Sequence, residues 1–248
     1  IKIFIKQYSI TALRDLENQL MDFYKEISDT LYSELDRNFK LSNEILDIEE
    51  ANLIKNFRLA EKQQDWKIAH AILKALGELY YRVERKSEFR SMRKHALSKI
   101  GFSIEEAKAK GQKAFYYWMY LKLEDVQDAT DNFDLHRARE IAQEIIDNLT
   151  KLNDVSLNHV IACFYDRLGI IAFEERNFQE AIGFYKKSLK IYEDEGNLDG
   201  IAFVYHELGT VSEMQYNFDD AILYYQKSSK INVATGSLIT THHTSYAQ

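Results

Sequence analysis

The 248-residue chain contains no proline at all, only 9 glycines and a single cysteine. At ordinary usage roughly a dozen prolines would be expected. Proline removes a helical N–H donor and clashes with the preceding turn, and glycine weakens helix interiors. A chain this poor in both is a run of helices joined by short connections. The lone Cys163 excludes an internal disulfide framework and a cysteine-rich zinc site, and it fits a reducing, cytoplasmic setting. The longest aromatic and apolar run, Ala114 to Leu121, is far below the roughly 20 residues that span a bilayer, so no membrane partner is expected. Net charge is −7, whereas a dedicated nucleic-acid binder usually carries a basic face.

What is present is helical periodicity. Leu13, Leu16, Leu20, Phe23, Ile27 and Leu31 mark a first helix from about Ser9 to Arg37, with these side chains as its inner face. Ser42 reads as the N-cap of a second helix running to about Lys62, with Ile45, Ile48, Leu53, Phe57 and Ala60 inward. Asp65 caps a third, carrying Trp66, Ala69, Leu73, Leu76 and Tyr80. Further helices are expected from Lys86 to Ile100, from Ser103 to Ala129 and from Asp134 to Leu152. Alternating period-two runs, the mark of strands, are absent.

Internal repetition decides the architecture. Tyr165, Leu168, Gly169, Asn177, Phe178, Ala181, Ile182, Tyr185, Lys187, Ser188, Lys190, Ile191, Gly196 and Leu198 each recur 40 residues later without a gap. Each copy reads as a helix hairpin. Gly169 lets the partner helix approach, with Ala181 and Ser188 on the opposing seam. Asn177 caps the second helix and Gly196 ends it in a left-handed conformation. One hairpin cannot bury both faces, so copies stack. The same offset predicts a further copy opening at Gly236, cut off at Gln248; Ile1 likewise reads as an internal cut.

These residues resemble the tetratricopeptide repeat family, whose pattern is an aromatic, Leu-Gly, a small residue, an aromatic and another small residue. Tyr165, Leu168, Gly169, Ala181, Tyr185 and Ser188 carry it, as do Tyr205, Leu208, Gly209, Ala221, Tyr225 and Ser228. The period is 40 rather than the family's usual 34, which resembles the longer repeats of kinesin light chains and many bacterial regulators. Arg176 and Tyr216 stand where the family has an inter-helix Gly, and its closing Pro is missing. A degenerate copy lies upstream at Leu76-Gly77 and Tyr80, with the bulky Phe89 at the small-residue position. The expected fold is an all-α α-solenoid of stacked antiparallel hairpins. It divides into a helical cap or linker (1–63), degenerate hairpins (64–152), two well-formed repeats (153–235) and the start of another (236–248).

A second resemblance is carried by Glu49-Glu50-Ala51-Asn52-Leu53, Arg58-Leu59-Ala60 and Asp65-Trp66. They are similar to the helical stretch that precedes the repeats of bacterial STAND-type ATPase regulators. It implies an alternative role as the sensor arm of a multidomain signalling ATPase or effector enzyme.

Motifs for chemistry are missing. There is no phosphate loop, dinucleotide turn or nucleophile elbow. The stretch Asp128 to Asp134 resembles a calcium loop, but Phe133 stands where Gly is needed and Arg139 where a bidentate Glu should bind. His242 and His243 point about 100° apart on a helix. Cys163 has no base beside it to lower its pKa. The basic run from Arg82 to Lys99 reads first as a solvated helix face and second as a patch for an anionic partner such as an acidic peptide or nucleic acid. The aromatic block Phe115 to Tyr120 reads first as core and second as the border of a recognition surface. No catalysis, cofactor or metal is therefore expected.

The family resemblance implies instead a protein or peptide partner in a concave groove lined by the first helix of each hairpin. Helical spacing from the Leu-Gly position gives Cys163, Asp166, Ile170, Phe173 and Glu174 in one copy, and Phe203, His206, Thr210, Glu213 and Met214 in the next. Their acidity disfavours an acidic chaperone tail and suits a neutral-to-basic, partly apolar segment.

Overall fold

The computed structural model describes residues 10–34 and 38–235. The copy expected from Gly236, His242 and His243 lie outside these residues, as does the expected end of the first helix at Arg37. The described residues form eleven α-helices and no strand. They are α1 (Ile10–Glu34), α2 (Phe39–Gln63), α3 (Trp66–Arg82), α4 (Lys86–Ile100), α5 (Ile104–Ala109), α6 (Gln112–Asp131), α7 (Leu135–Lys151), α8 (Asn158–Glu174), α9 (Phe178–Glu195), α10 (Leu198–Met214) and α11 (Phe218–Thr235), with a 3-10 turn at Val155–Leu157 before α8. The chain splits into two compact units, 1–121 and 122–248.

One two-residue connection explains how the chain turns without proline. A residue in the left-handed region is followed by the residue that starts the next helix. Its members are Gln64-Asp65, Glu84-Arg85, Phe133-Asp134, Arg176-Asn177, Gly196-Asn197 and Tyr216-Asn217, with φ between 58° and 66° at the first residue. The second residue's N–H reaches back five residues, as in Asn177 to the Ala172 carbonyl at 2.8 Å and Asn217 to Ser212 at 2.9 Å. This satisfies a carbonyl that the helix end would leave bare. Asp65, Asp134, Asn177 and Asn197 then cap the following helix with their side chains.

In the first unit α1 packs on α2 and α3, and α3 on α4. Trp66, Ala69, Leu73, Leu76 and Tyr80 are buried as expected, joined by Phe57, Leu53 and Leu46 from α2. Three expectations need correction. The N-cap of α2 is Asn38, whose side chain accepts from Leu41 N–H, while Ser42 is buried inside the helix. The helix expected from Ser103 to Ala129 is broken after Ala109, because Gly111 adopts a φ of 101°. Finally, α1 buries Met21, Tyr24, Ser28 and Leu31, leaving Leu16, Leu20 and Phe23 exposed, and Ile48 of α2 is 73% exposed.

The upstream Leu-Gly copy keeps the repeat's logic with its ring moved by one turn. A Cβ on Gly77 would stand 2.6 Å from Cζ of Phe89, so the ring at the small-residue position fills the space beside the glycine. Arg93, one turn further along α4, is buried with its guanidinium 5.4 Å from the Phe89 ring centre.

In the second unit α7 packs on α8, α8 on α9, α9 on α10 and α10 on α11. Only sequential neighbours share large surfaces, the packing of a helical solenoid. Its core is built from Ala162, Ile170, Ala172, Ala181, Tyr185, Tyr192, Val204, Leu208 and Val211. Arg139 of α7 bonds both carboxylate oxygens of Glu180 at 3.0 Å and also bonds Glu175, which ties α7 to the α8–α9 hairpin.

Candidate interaction site

The first helices of the two hairpins, α8 and α10, carry every residue that spacing assigned to the groove. On α10, Phe203, His206 and Thr210 are half-buried, and Glu213 and Met214 are exposed. They recur at three- and four-residue steps, so they share one helical face. Tyr225 of α11 anchors that face. Its hydroxyl donates to Glu213 Oε2 at 2.8 Å, lies 3.3 Å from Thr210 Oγ1, and its ring centre is 5.3 Å from that of His206. Burial holds the His206 imidazole below its ordinary pKa, partly offset by Glu213.

On α8 the corresponding face is drawn inward. Phe173 is half-buried and Glu174 exposed, but Asp166 and Ile170 are each only 7% exposed. Tyr192 of α9 donates to Asp166 Oδ2 at 2.7 Å and lies 3.5 Å from Cys163 Sγ. Burial pushes the Asp166 carboxyl up to about 7, against the smaller pulls of Ser188, Tyr192 and Arg167. The Cys163 thiol is likewise pushed up to about 11 by burial and by Asp166, so it is a poor nucleophile.

A second carboxyl belongs to this cluster and escaped the sequence reading. Glu207 of α10 is 9% exposed and accepts from the Tyr185 hydroxyl at 3.3 Å. Burial raises it to about 7. Helix α9 thus holds one acid on each side through its own tyrosines. The 40-residue alignment conceals the arrangement, because Asp166 pairs with His206, Arg167 with Glu207 and Tyr192 with Asn232.

The other candidates fall into structural roles. Phe115, Tyr117, Trp118 and Met119 are buried. His70 lies with its ring centre 5.6 Å from that of Tyr117 and 4.5 Å from that of Tyr120, and burial pushes it down to about 4. Within the basic run, Arg85 pairs with Glu50 and Glu88, Arg93 is buried and Lys86 sits over Tyr81. Asp134 is a helix cap and Phe133 a left-handed turn residue. Among the described residues, no group of three or more His, Cys, Asp or Glu side chains could hold a metal ion. No described helix is long and apolar enough to cross a membrane.

Two successive hairpins with Leu-Gly against an aromatic ring and Asn at each turn can be compared with known proteins. Residues 160–232 match the tetratricopeptide repeat family. This tetratricopeptide segment covers α8 to α11 almost completely. Among solved structures, the chain resembles the crystal structure of BtubC (BKLC) from P. vanneervenii. The TM-score is 0.56 at 14% identity, over 94% of this chain and 97% of that one. At that identity the likeness carries the fold, an all-helical repeat architecture. No curated protein matches the chain. Tetratricopeptide repeats generally mediate protein–protein interaction.

Proposed function

We propose that the 153–235 segment binds a peptide or partner helix along the face formed by the first helices of its hairpins, without catalysis. The observation that carries this reading is the face of α10. Phe203, His206, Thr210, Glu213 and Met214 all reach the surface there at helical spacing, giving aromatic and thioether contacts beside one carboxylate. Aromatic anchors dominate such interfaces, and methionine adapts to varied partners. On α8 the reachable part is Phe173 and Glu174, since Asp166 and Ile170 are buried. The face is apolar with acidic edges at Glu174 and Glu213, so the favoured partner is neutral to basic and partly apolar. The inert Cys163 fits a cytoplasmic setting.

Photo-crosslinking tests this reading. A benzophenone amino acid placed at Phe203 should capture a partner in the source cell that the same group at Lys187, on the second helix of a hairpin, does not. Capture at Lys187 alone would transfer binding to the second-helix side and leave the named residues structural.

A further inference from the structure

The first helix offers a second surface, independent of the face on α8 and α10. On α1, Leu16 is 51% exposed, Leu20 40% and Phe23 53%, and Ile27 is half-buried. At 100° per residue these four lie within about 60° of arc. The side chains that α1 buries, Met21, Tyr24, Ser28 and Leu31, centre roughly 90° away on the same helical wheel. The apolar stripe is therefore not the one that anchors α1 to its own unit. Its steps of four, three and four residues are those of a helix-packing seam. Large exposed apolar side chains gathered this way mark interaction sites.

Charge decides what fits. Beyond the edge of the stripe away from the buried face stand Glu26, Asp15 and Asp22, roughly 90°, 110° and 130° from its centre and all exposed. Both Lys25, which is engaged with Asp29, and Arg14 lie on the far side of the helix. A second copy of the chain would bring these acids against their own counterparts, which costs free energy. We infer that the α1 stripe docks an amphipathic helix from a protein partner, one with an apolar seam flanked by Lys or Arg.

The test uses the full chain and a fluorescein-labelled peptide of about four heptads, with Leu at the seam and Lys at its flanks. A twin peptide carries Glu in place of Lys. The Lys peptide should bind saturably and at least about tenfold more tightly than its twin, with the preference shrinking as salt rises. Leu20→Ser with Phe23→Ser should abolish binding and leave Tm unchanged. Asp15→Asn, Asp22→Asn and Glu26→Gln together should keep binding but erase the preference. Equal affinity for both peptides, or binding unaffected at Leu20 and Phe23, overturns the inference. So does a Tm lowered by the serine variant, which would mean that the stripe is covered within the chain. A dimer in sedimentation that the serine variant dissociates would make a second copy the occupant and also overturn it.

Discussion

Gly209 lies flat against the ring of Tyr225: a Cβ there would stand 2.6 Å from Cε1 and 2.7 Å from Cδ1. Gly169 meets Tyr185 in the same way in the preceding copy. The two sites differ in one respect. Tyr185 is fully buried, whereas Tyr225 on the last described helix is only half-buried. Gly169→Ala should therefore destabilise the fold by about 1–3 kcal/mol through overpacking. Gly209→Ala should cost less, because the ring can swing outward while alanine recovers up to about 1 kcal/mol of helix propensity. Urea titrations of the two variants would check the order, and equal losses would mean that Tyr225 is as confined as Tyr185.

The acids on either side of α9 make stability depend on pH. Asp166 and Glu207 both sit near 7 in the folded chain, against about 4 in an unfolded one. Folding therefore takes up protons between those values. Their contribution is fully present below about pH 4 and is lost as pH rises through 7. Glu61, raised to about 7 by burial, acts in the same direction, whereas His70, His95 and His206, all lowered, favour higher pH. The fall therefore has to be read as a difference between variants. Asp166→Asn keeps an acceptor for Tyr192 and removes the charge. It should raise stability relative to the parent by on the order of 2 kcal/mol at pH 8, with a smaller gain at pH 5. Thermal melts of the parent, Asp166→Asn and Glu207→Gln across pH 5–8 provide the measurement, and parallel profiles would sink the idea.

The left-handed turn residues carry a cost that glycine would relieve. Arg176 and Tyr216 have φ of 62° and 61°, a region costing an ordinary residue about 1–2 kcal/mol. Glycine removes that cost but adds about 0.5–1 kcal/mol of unfolded-state entropy. Tyr216→Gly should therefore stabilise by up to about 1 kcal/mol, since the 82% exposed ring contributes little packing. A Tm below that of the parent would show that the Tyr216–Phe218 edge contact, 6.3 Å between ring centres, matters more than the backbone.

On the α10 face, Phe203 and Glu213 should separate by salt. Phe203→Ala removes an anchor and should weaken a captured partner by about 2 kcal/mol at every ionic strength. Glu213→Lys acts through a field screened over about 8–10 Å, so its effect should fade as salt rises. Titrations at low and high salt by calorimetry would distinguish them. Identical salt dependence would mean that Glu213, held by Tyr225, plays no electrostatic role.

Outside the break between α5 and α6 at Gly111, the sequence by itself determined the elements and their connections. A 40-residue period, Asn or Asp at the turns, Leu-Gly facing an aromatic and the absence of proline are local requirements of hairpins, so they are written locally. What only the tertiary structure decided is which side of a helix turns inward. Helix α1 carries apolar residues over more than half its circumference. Periodicity chose Leu16, Leu20, Phe23 and Leu31, but contact with α2 and α3 buried only Leu31 of these four, together with Met21 and Tyr24. Asp166 and Glu207 illustrate the same limit, since a carboxyl on a helix reads from sequence as surface. Their burial depends on Tyr192 and Tyr185, residues 26 and 22 positions away along the chain. Such contacts between helices follow no helical period, so they emerge only when the helices pack.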